Sequence, residues 1–314
     1  MKGPPLRRTV AVVVLVVLLI AGATIGIVVG IGNGGPTARG PLPAVSTAFG
    51  HTPVITFPSN APPNKLMAKV LHEGTGRVIA RGNLVIANYV GQIWQGKVFD
   101  TTFDARVPDA FQVGEKRVIA GWDKTLVGMR VGSRVLLVVP PVDGYGKLGL
   151  SQEGITASTT IIYVMDLLGT YGPNIGLGIH AVVLRHGADG VRVIGAPGEK
   201  PTITFAKKAV APKTTLTVLL ARGNGPLLEP GFVVIQGVEQ AWGGGVIDST
   251  WANKTPAASP VGIPGDSSLL DSLVGTPLGS RVLIISPQKT NATPAEVGVI
   301  DLVAEPKDTA AQSR

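Results

Sequence analysis

The sequence predicts an α+β fold with two tandem domains, each an antiparallel β-sheet curled around one short helix, after an N-terminal transmembrane helix. The first observation is an internal repeat, in which residues 45–103 recur as residues 193–251 and indicate two copies of one globular unit. The second is a series of short β-branched segments separated by turn residues, with one convincing helical segment. The third is an uncharged apolar run at residues 9–31, long enough to span a bilayer.

The apolar run favours an uncleaved anchor over a cleaved signal peptide. Lys2, Arg7 and Arg8 precede the run, so its start is expected on the cytoplasmic side and the domains outside the cytoplasm. The small residues at 21–23 fit a cleavage site, and secretion after cleavage is the alternative, but the apolar run continues to Ile31. We therefore predict a cell-membrane protein with a single span. Its segments are a flank and anchor at 1–31, a linker at 32–44, domains at 45–170 and 171–304, and a disordered tail at 305–314.

Composition excludes several classes of chemistry. Cysteine is absent, which rules out disulfides, thiolate nucleophiles and zinc thiolate sites. The four histidines form no metal-ligand or nucleophile-activating pattern, so we predict neither a metal nor a cofactor. The net charge of +8 is scattered, with no basic run interleaved with aromatic residues, so nucleic acid is not a predicted partner.

The predicted elements follow the same order in both copies. The first copy has β-branched strands at 84–89, 135–139 and 161–168, and the second at 231–235, 281–285 and 297–303. The helix is predicted at 121–129, where Trp122, Leu126 and Met129 share one face. The repeat itself matches Val45 with Val193, Gly50 with Gly198, Pro53–Phe57 with Pro201–Phe205, Trp94 with Trp242, Gly96 with Gly244, Val98 with Val246 and Asp100 with Asp248.

Five ordered motifs lie in the first copy: Asn88-Tyr89-Val90-Gly91, Gly96-x-x-Phe99-Asp100-Thr101-Thr102, Val118-Ile119-x-Gly121-Trp122-Asp123, Val131-Gly132-Ser133-Arg134 and Gly144-Tyr145-Gly146. In order and spacing they resemble the FKBP-type peptidyl-prolyl cis/trans isomerases, over roughly residues 65–168. The resemblance implies a half-open sheet around one helix, with a groove between them that binds a proline side chain. No nucleophile, cofactor or metal is implied.

The resemblance also implies roles for individual residues. Trp122 is expected as the pocket floor, Asp100 as the hydrogen-bond partner of Tyr89, and Tyr145 as a donor to a substrate carbonyl. Ile155 is expected to close the rim, and the backbone N–H of Ile119 to offer another donor. The implied catalytic set is Tyr89, Phe99, Asp100, Trp122 and Tyr145, and the implied substrate-binding set is Phe111, Val118, Ile119, Ile155 and Tyr163.

The first copy departs from the family pattern at two positions. Asp109 stands where an aromatic wall residue is usual, and Ala105 where an arginine usually backs the buried carboxylate, although Arg106 lies one residue on. We therefore expect a more open pocket and a less firmly held Asp100.

The second copy lacks most of the implied pocket. Tyr89 falls opposite Gly237 or Val238, Phe99 opposite Ile247, and, without gaps from Gly275, Trp122 falls opposite Leu269. About a dozen residues are missing from the loop that carries Tyr145 and Ile155. The second domain is therefore expected to be degenerate and inactive.

The predicted function is peptidyl-prolyl isomerisation of exported proteins in the apolar pocket of the first domain. The alternative is a polypeptide-binding module or chaperone that uses the same groove without catalysis. The implied partners are proline-containing polypeptides and the membrane, and macrolide inhibitors are candidate ligands.

Overall fold

Two antiparallel sheets that share one strand order form the framework of the described chain. The computed structural model describes residues 42–104, 107–176, 180–263, 269–288 and 294–306. Within these ranges no helix is both long and apolar enough to cross a membrane. The predicted anchor at 9–31 lies outside the described residues, as do most of the predicted linker and tail.

The described residues of the first half form eight strands and one α-helix. They are β1 (Ala44–Val45), β2 (Ile55–Thr56), β3 (Met67–His72), β4 (Leu84–Ile93), β5 (Val98–Thr101), β6 (Asp109–Gln112), α1 (Ala120–Thr125), β7 (Arg134–Val139) and β8 (Ile161–Tyr171). The main sheet has the antiparallel order β3-β7-β8-β4-β5, and β6 pairs with the first half of β4.

The second half repeats this order. Its elements are β9 (Ala181–Val183), β10 (Gly187–Ala188), β11 (Val191–Ile194), β12 (Thr202–Phe205), β13 (Leu216–Gly223), β14 (Gly231–Ala241), β15 (Val246–Ser249), α2 (Thr250–Asn253), β16 (Ala257–Val261), β17 (Arg281–Ser286) and β18 (Glu296–Ala304). The sheet order is β9-β13-β17-β18-β14-β15, with β16 on β14. The six strands β13, β17, β18, β14, β15 and β16 thus take the places of β3, β7, β8, β4, β5 and β6.

All six predicted strands are present, but the predicted helix is shorter than expected. Helix α1 ends at Thr125, and Gly128 has a φ of 93°, a left-handed conformation that terminates helical geometry. Trp122 and Leu126 are buried as predicted, whereas Met129 reaches the core from the following turn. In the second half the matching position holds a single 3-10 turn at 271–273, and α2 lies elsewhere, directly after β15.

A buried ion pair recurs in each half and accounts for part of the sequence repeat. Arg134 on β7 is fully buried, and its Nε lies 2.6 Å from Asp166 Oδ1 on β8. The Gly50 N–H donates to the other oxygen of Asp166 at 2.7 Å. In the second half Arg281, Asp301 and Gly198 repeat these contacts at 2.6 and 2.8 Å. The repeated glycine segment therefore caps a charge pair that needs extra donors inside the protein.

The repeated tryptophans pack on scaffold: Trp94 lies in the cluster on the sheet face away from α1, and Trp242 packs against a cluster of the second half. Trp94 makes an edge contact with Phe57, with ring centroids 5.4 Å apart, and Trp242 lies 5.2 Å from Phe205. Phe57 follows β2 and Phe205 ends β12, so each contact joins a segment outside the main sheet to the sheet itself. The prediction that these two tryptophans are structural is confirmed.

The two halves meet through equivalent positions of their long central strands. Leu84 and Ile86 on β4 form one buried apolar cluster with Phe232 and Val234 on β14. Within β4 these side chains alternate with Val85, whose side chain joins the helix-facing core. Since each half contributes the same surface, the contact has the form of an isologous dimer interface within one chain. We call this cluster the central interface.

Candidate functional site

An aromatic cluster occupies the concave side of the first sheet. Trp122, at the start of α1, is 7% exposed and lies with its ring centroid 5.3 Å from Tyr89, 4.9 Å from Tyr163 and 4.6 Å from Phe111. Phe99 on β5 extends the cluster through an edge contact with Tyr163 at 5.8 Å. Strands β4, β5, β6 and β8 therefore each direct an aromatic ring toward one helix end, which produces an apolar surface poor in water.

A phenol and two carboxylates lie at the edge of this cluster. The Tyr89 hydroxyl donates to Asp100 Oδ2 at 2.7 Å, and Asp109 Oδ2 lies 3.4 Å from the same hydroxyl. Burial raises the pKa of Tyr89 far above its usual value, and the charges of Asp109 and Asp100 raise it further. The phenol therefore stays protonated and keeps its role as a donor throughout the neutral range.

Two further hydroxyl groups come from β8 and the loop before it. The hydroxyl oxygens of Tyr145 and Tyr163 are 3.5 Å apart. Burial raises the pKa of Tyr163 well above its usual value, and it also raises the pKa of Tyr145. Both groups thus remain neutral donors. The loop is fixed by an ion pair between Lys124 Nζ on α1 and Asp143 Oδ1, at 2.6 Å.

One polar atom in the cluster is left without a partner. The Trp122 indole Nε1–H is buried and has no hydrogen-bond acceptor in the described part of the chain. A buried donor without a partner costs about 1–3 kcal/mol.

The comparison with known families agrees with this geometry. The profile of the family described as FKBP-type peptidyl-prolyl cis-trans isomerase matches residues 76–168. An FK506-binding protein of Streptomyces anulatus is 38% identical over 117 residues, which is 37% of this chain and 94% of that protein. The chain belongs to the FKBP family of peptidyl-prolyl cis-trans isomerases.

Other FKBP relatives match a similar share of the chain. An FK506-binding protein of Neisseria meningitidis serogroup A is 33% identical over 106 residues, 34% of this chain and 96% of that protein. The solved structure of AtFKBP13 is 28% identical, covers 35% of this chain and 96% of that one, and has a TM-score of 0.32. The structure of FkpA from Escherichia coli is 31% identical, covers 33% of this chain and 47% of that one, and has a TM-score of 0.31.

The FKBP domain brings the residues predicted for the site together. All nine apolar and aromatic members lie in or against one core cluster, and Asp100 is bound to Tyr89 as the resemblance implied. Val118 and Ile119 are half-buried where the chain enters α1, and Ile155 is buried in the loop. Their roles in binding and catalysis stay predictions. The members are Tyr89, Phe99, Phe111, Val118, Ile119, Trp122, Tyr145, Ile155 and Tyr163.

Two parts of the site did not follow from sequence reasoning. Asp109 was expected only to open the wall, whereas its carboxylate approaches the Tyr89 hydroxyl. The Lys124–Asp143 pair was not anticipated, although an acidic residue beside Gly144-Tyr145-Gly146 was a visible signal. The expectation that Arg106 could take the role of the usual arginine concerns a residue outside the described ranges.

Among its described residues, the second half has no counterpart of the aromatic cluster. Gly237 takes the place of Tyr89, because it pairs with Ile300 as Tyr89 pairs with Met165. A Cβ at Gly237 would lie 2.9 Å from the Ile300 side chain, so a tyrosine cannot enter without displacing it. Ile247, opposite Phe99, is 53% exposed.

The predicted match of Trp122 with Leu269 is wrong by one residue. Asp123 Oδ1 accepts from the Gly114 N–H at 2.8 Å, and Asp271 Oδ1 accepts from the Gly262 N–H at 2.7 Å, so these two aspartates are equivalent. Leu270 therefore takes the place of Trp122 and packs on the core, while Leu269 is 50% exposed. The alignment slipped because the chain between Asp271 and the next glycine turn is one residue shorter.

Proposed function

We propose that the aromatic cluster of the first half binds proline within polypeptides and accelerates rotation about the preceding peptide bond. The uncatalysed barrier is about 18–20 kcal/mol, because rotation breaks amide resonance. Resonance places charge on the amide oxygen and nitrogen, so a water-poor aromatic surface stabilises the planar amide less than water does. The observation that carries the proposal is the convergence of Tyr89, Tyr163 and Phe111 on Trp122.

Donors around the cluster are suited to the twisted amide. The Tyr145 hydroxyl is half-buried and remains protonated, so it can donate to a substrate carbonyl. The N–H of Ile119 donates to no backbone acceptor in the described residues, which leaves it available at the entrance to α1. Interactions that are stronger with the twisted carbonyl than with either planar form lower the barrier.

We further propose that the second half is a tandem, non-catalytic copy of the FKBP domain. The shared strand order, the repeated ion pair and the equivalent central interface support a common origin. The connection between β17 and β18 is about a dozen residues shorter than that between β7 and β8, so the segment with Tyr145 and Ile155 has no counterpart. In this proposal the second half stabilises the first by packing against it at the central interface.

The proposed place of action is outside the cytoplasm, on exported proteins. The support is the apolar run at residues 9–31 with its preceding basic residues, which favours a single-pass anchor over a cleaved signal. Macrolides are proposed ligands because several relatives carry the name FK506-binding protein. The rival function, binding without catalysis, is favoured by Asp109 at a wall position of the pocket.

The test compares two buried tryptophans on opposite faces of one sheet. In a prolyl isomerisation assay on the complete chain, Trp122→Phe should lower kcat/KM about tenfold, equivalent to about 1.4 kcal/mol of lost transition-state stabilisation. Trp94→Phe is the matched control, because Trp94 is equally buried but packs on Phe57. A wild-type chain that binds proline peptides without accelerating isomerisation would establish the rival function.

A further inference from the structure

Asp109 occupies the pocket edge at a position set by the strand register. It begins β6, pairs with Ala87 on β4, and precedes Phe111 by two residues. Alternate residues of a strand face the same side, so Asp109 faces the pocket as Phe111 does. The 3.4 Å separation between Asp109 Oδ2 and the Tyr89 hydroxyl oxygen is the direct evidence for this orientation.

Asp109 and Asp100 compete for a single donor. The Tyr89 proton goes to Asp100, at 2.7 Å, while 3.4 Å is too long for a strong O–H···O bond to Asp109. The other Asp109 oxygen accepts from the Ala110 N–H at 2.7 Å. Asp109 Oδ2 therefore faces the pocket edge with only one long hydrogen bond to stabilise its charge.

The charge of this pair is not balanced by the ion pairs of the described residues. Those ion pairs involve Glu115, Glu153, Asp143, Asp166 and Asp301, but neither Asp100 nor Asp109. The residue as a whole is exposed, but burial of its carboxyl group raises the pKa of Asp109 from its usual value, and the charge of Asp100 adds to the rise. A cation at this edge would stabilise the ionised carboxylates and so oppose both causes of the raised pKa.

A separate observation concerns the tryptophan ring at the centre of the cluster. Within the described residues the buried Trp122 Nε1–H has no acceptor, and its ring contacts both Tyr89 and Phe111. An acceptor supplied by a bound polypeptide would satisfy it. The two carboxylates thus lie beside an apolar site that holds an unpaired buried donor.

We propose that Asp109, together with Asp100, makes the pocket select proline segments in which a lysine or arginine flanks the proline. This inference rests on the proposed binding of proline at the aromatic cluster. The proline ring contacts the cluster, and the neighbouring cationic side chain reaches the two carboxylates at its edge. Because the carboxylates are accessible to solvent, the preference is moderate: about three- to tenfold for lysine over glutamate.

The experiment uses the complete chain and two peptide series, with lysine, leucine or glutamate before the proline and then after it. Both kcat/KM and the dissociation constant are measured for each peptide. The wild type should prefer lysine to glutamate in at least one series, and high salt should reduce the preference. Asp109→Asn should lower the lysine-to-glutamate ratio about threefold, measured within the variant so that any general change in activity cancels.

Glu73→Gln is the matched control. Glu73 is exposed beside β3, at the sheet edge opposite β5, and its change removes the same charge far from the pocket. Equal binding of the lysine and glutamate peptides by the wild type, or an unchanged ratio in Asp109→Asn, overturns the inference. Binding that favours lysine without acceleration of any peptide would refute the proposed catalysis while sustaining the charge preference, and no binding of any peptide would overturn both.

Discussion

Replacing Arg134 with methionine is expected to destabilise the protein by about 3–5 kcal/mol, because it leaves the buried Asp166 carboxylate without its cation. Arg134 also donates to the backbone oxygens of His51 and Ser46, so the change releases the segment that covers the outer sheet face. The measurement is urea unfolding followed by tryptophan fluorescence. Trp94 reports on the covering segment directly, through its contact with Phe57.

The control for this prediction removes both charges. Arg134→Met combined with Asp166→Leu replaces the ion pair with apolar groups of similar volume, which often costs little. The double variant should therefore regain much of the stability that the single variant loses. If the two are equally unstable, the backbone contacts of Arg134 rather than its charge account for the loss.

Placing a charge in the central interface is the second change with a large expected effect. Ile86→Asp puts a carboxylate with no cationic partner among Leu84, Phe232 and Val234, and we expect a loss of about 4 kcal/mol or more. Because the same cluster joins both halves, the loss should appear in both sheets. Hydrogen exchange at amides of β7 and of β17 measures the two sheets separately.

Val70→Asp is the control for the interface, since Val70 is a β-branched strand residue that is 46% exposed on β3. It should change stability by no more than about 0.5 kcal/mol. Faster exchange in β7 alone after Ile86→Asp would mean that the halves are energetically independent despite their contact.

The strands were predictable because their signals are local, whereas the central interface was not. Leu84, Val85 and Ile86 read as one continuous apolar run, which indicates burial on both faces of the strand. Nothing in the run identifies what covers the second face. The partner, Phe232 with Val234, is known only from the tertiary structure.

Site residues were predictable where a motif fixes the spacing. The Tyr89–Asp100 hydrogen bond followed from motifs on paired strands, β4 and β5. The contact of Asp109 with Tyr89 did not, because it depends on the register between β4 and β6, which no motif specifies. In the second half, the match to Leu269 failed because a short turn is one residue shorter. The sequence does not show where that residue is missing, whereas the hydrogen bond of Asp271 does.

The central interface also has a consequence for synthesis. When the ribosome has completed Tyr171, the first sheet has all its strands, but Phe232 and Val234 emerge roughly 60 residues later. At about 5–20 residues per second, the nascent first domain waits several seconds with Leu84 and Ile86 open to water. During that interval it is an aggregation-prone intermediate, which translational pausing would prolong and a chaperone that shields apolar surface would protect.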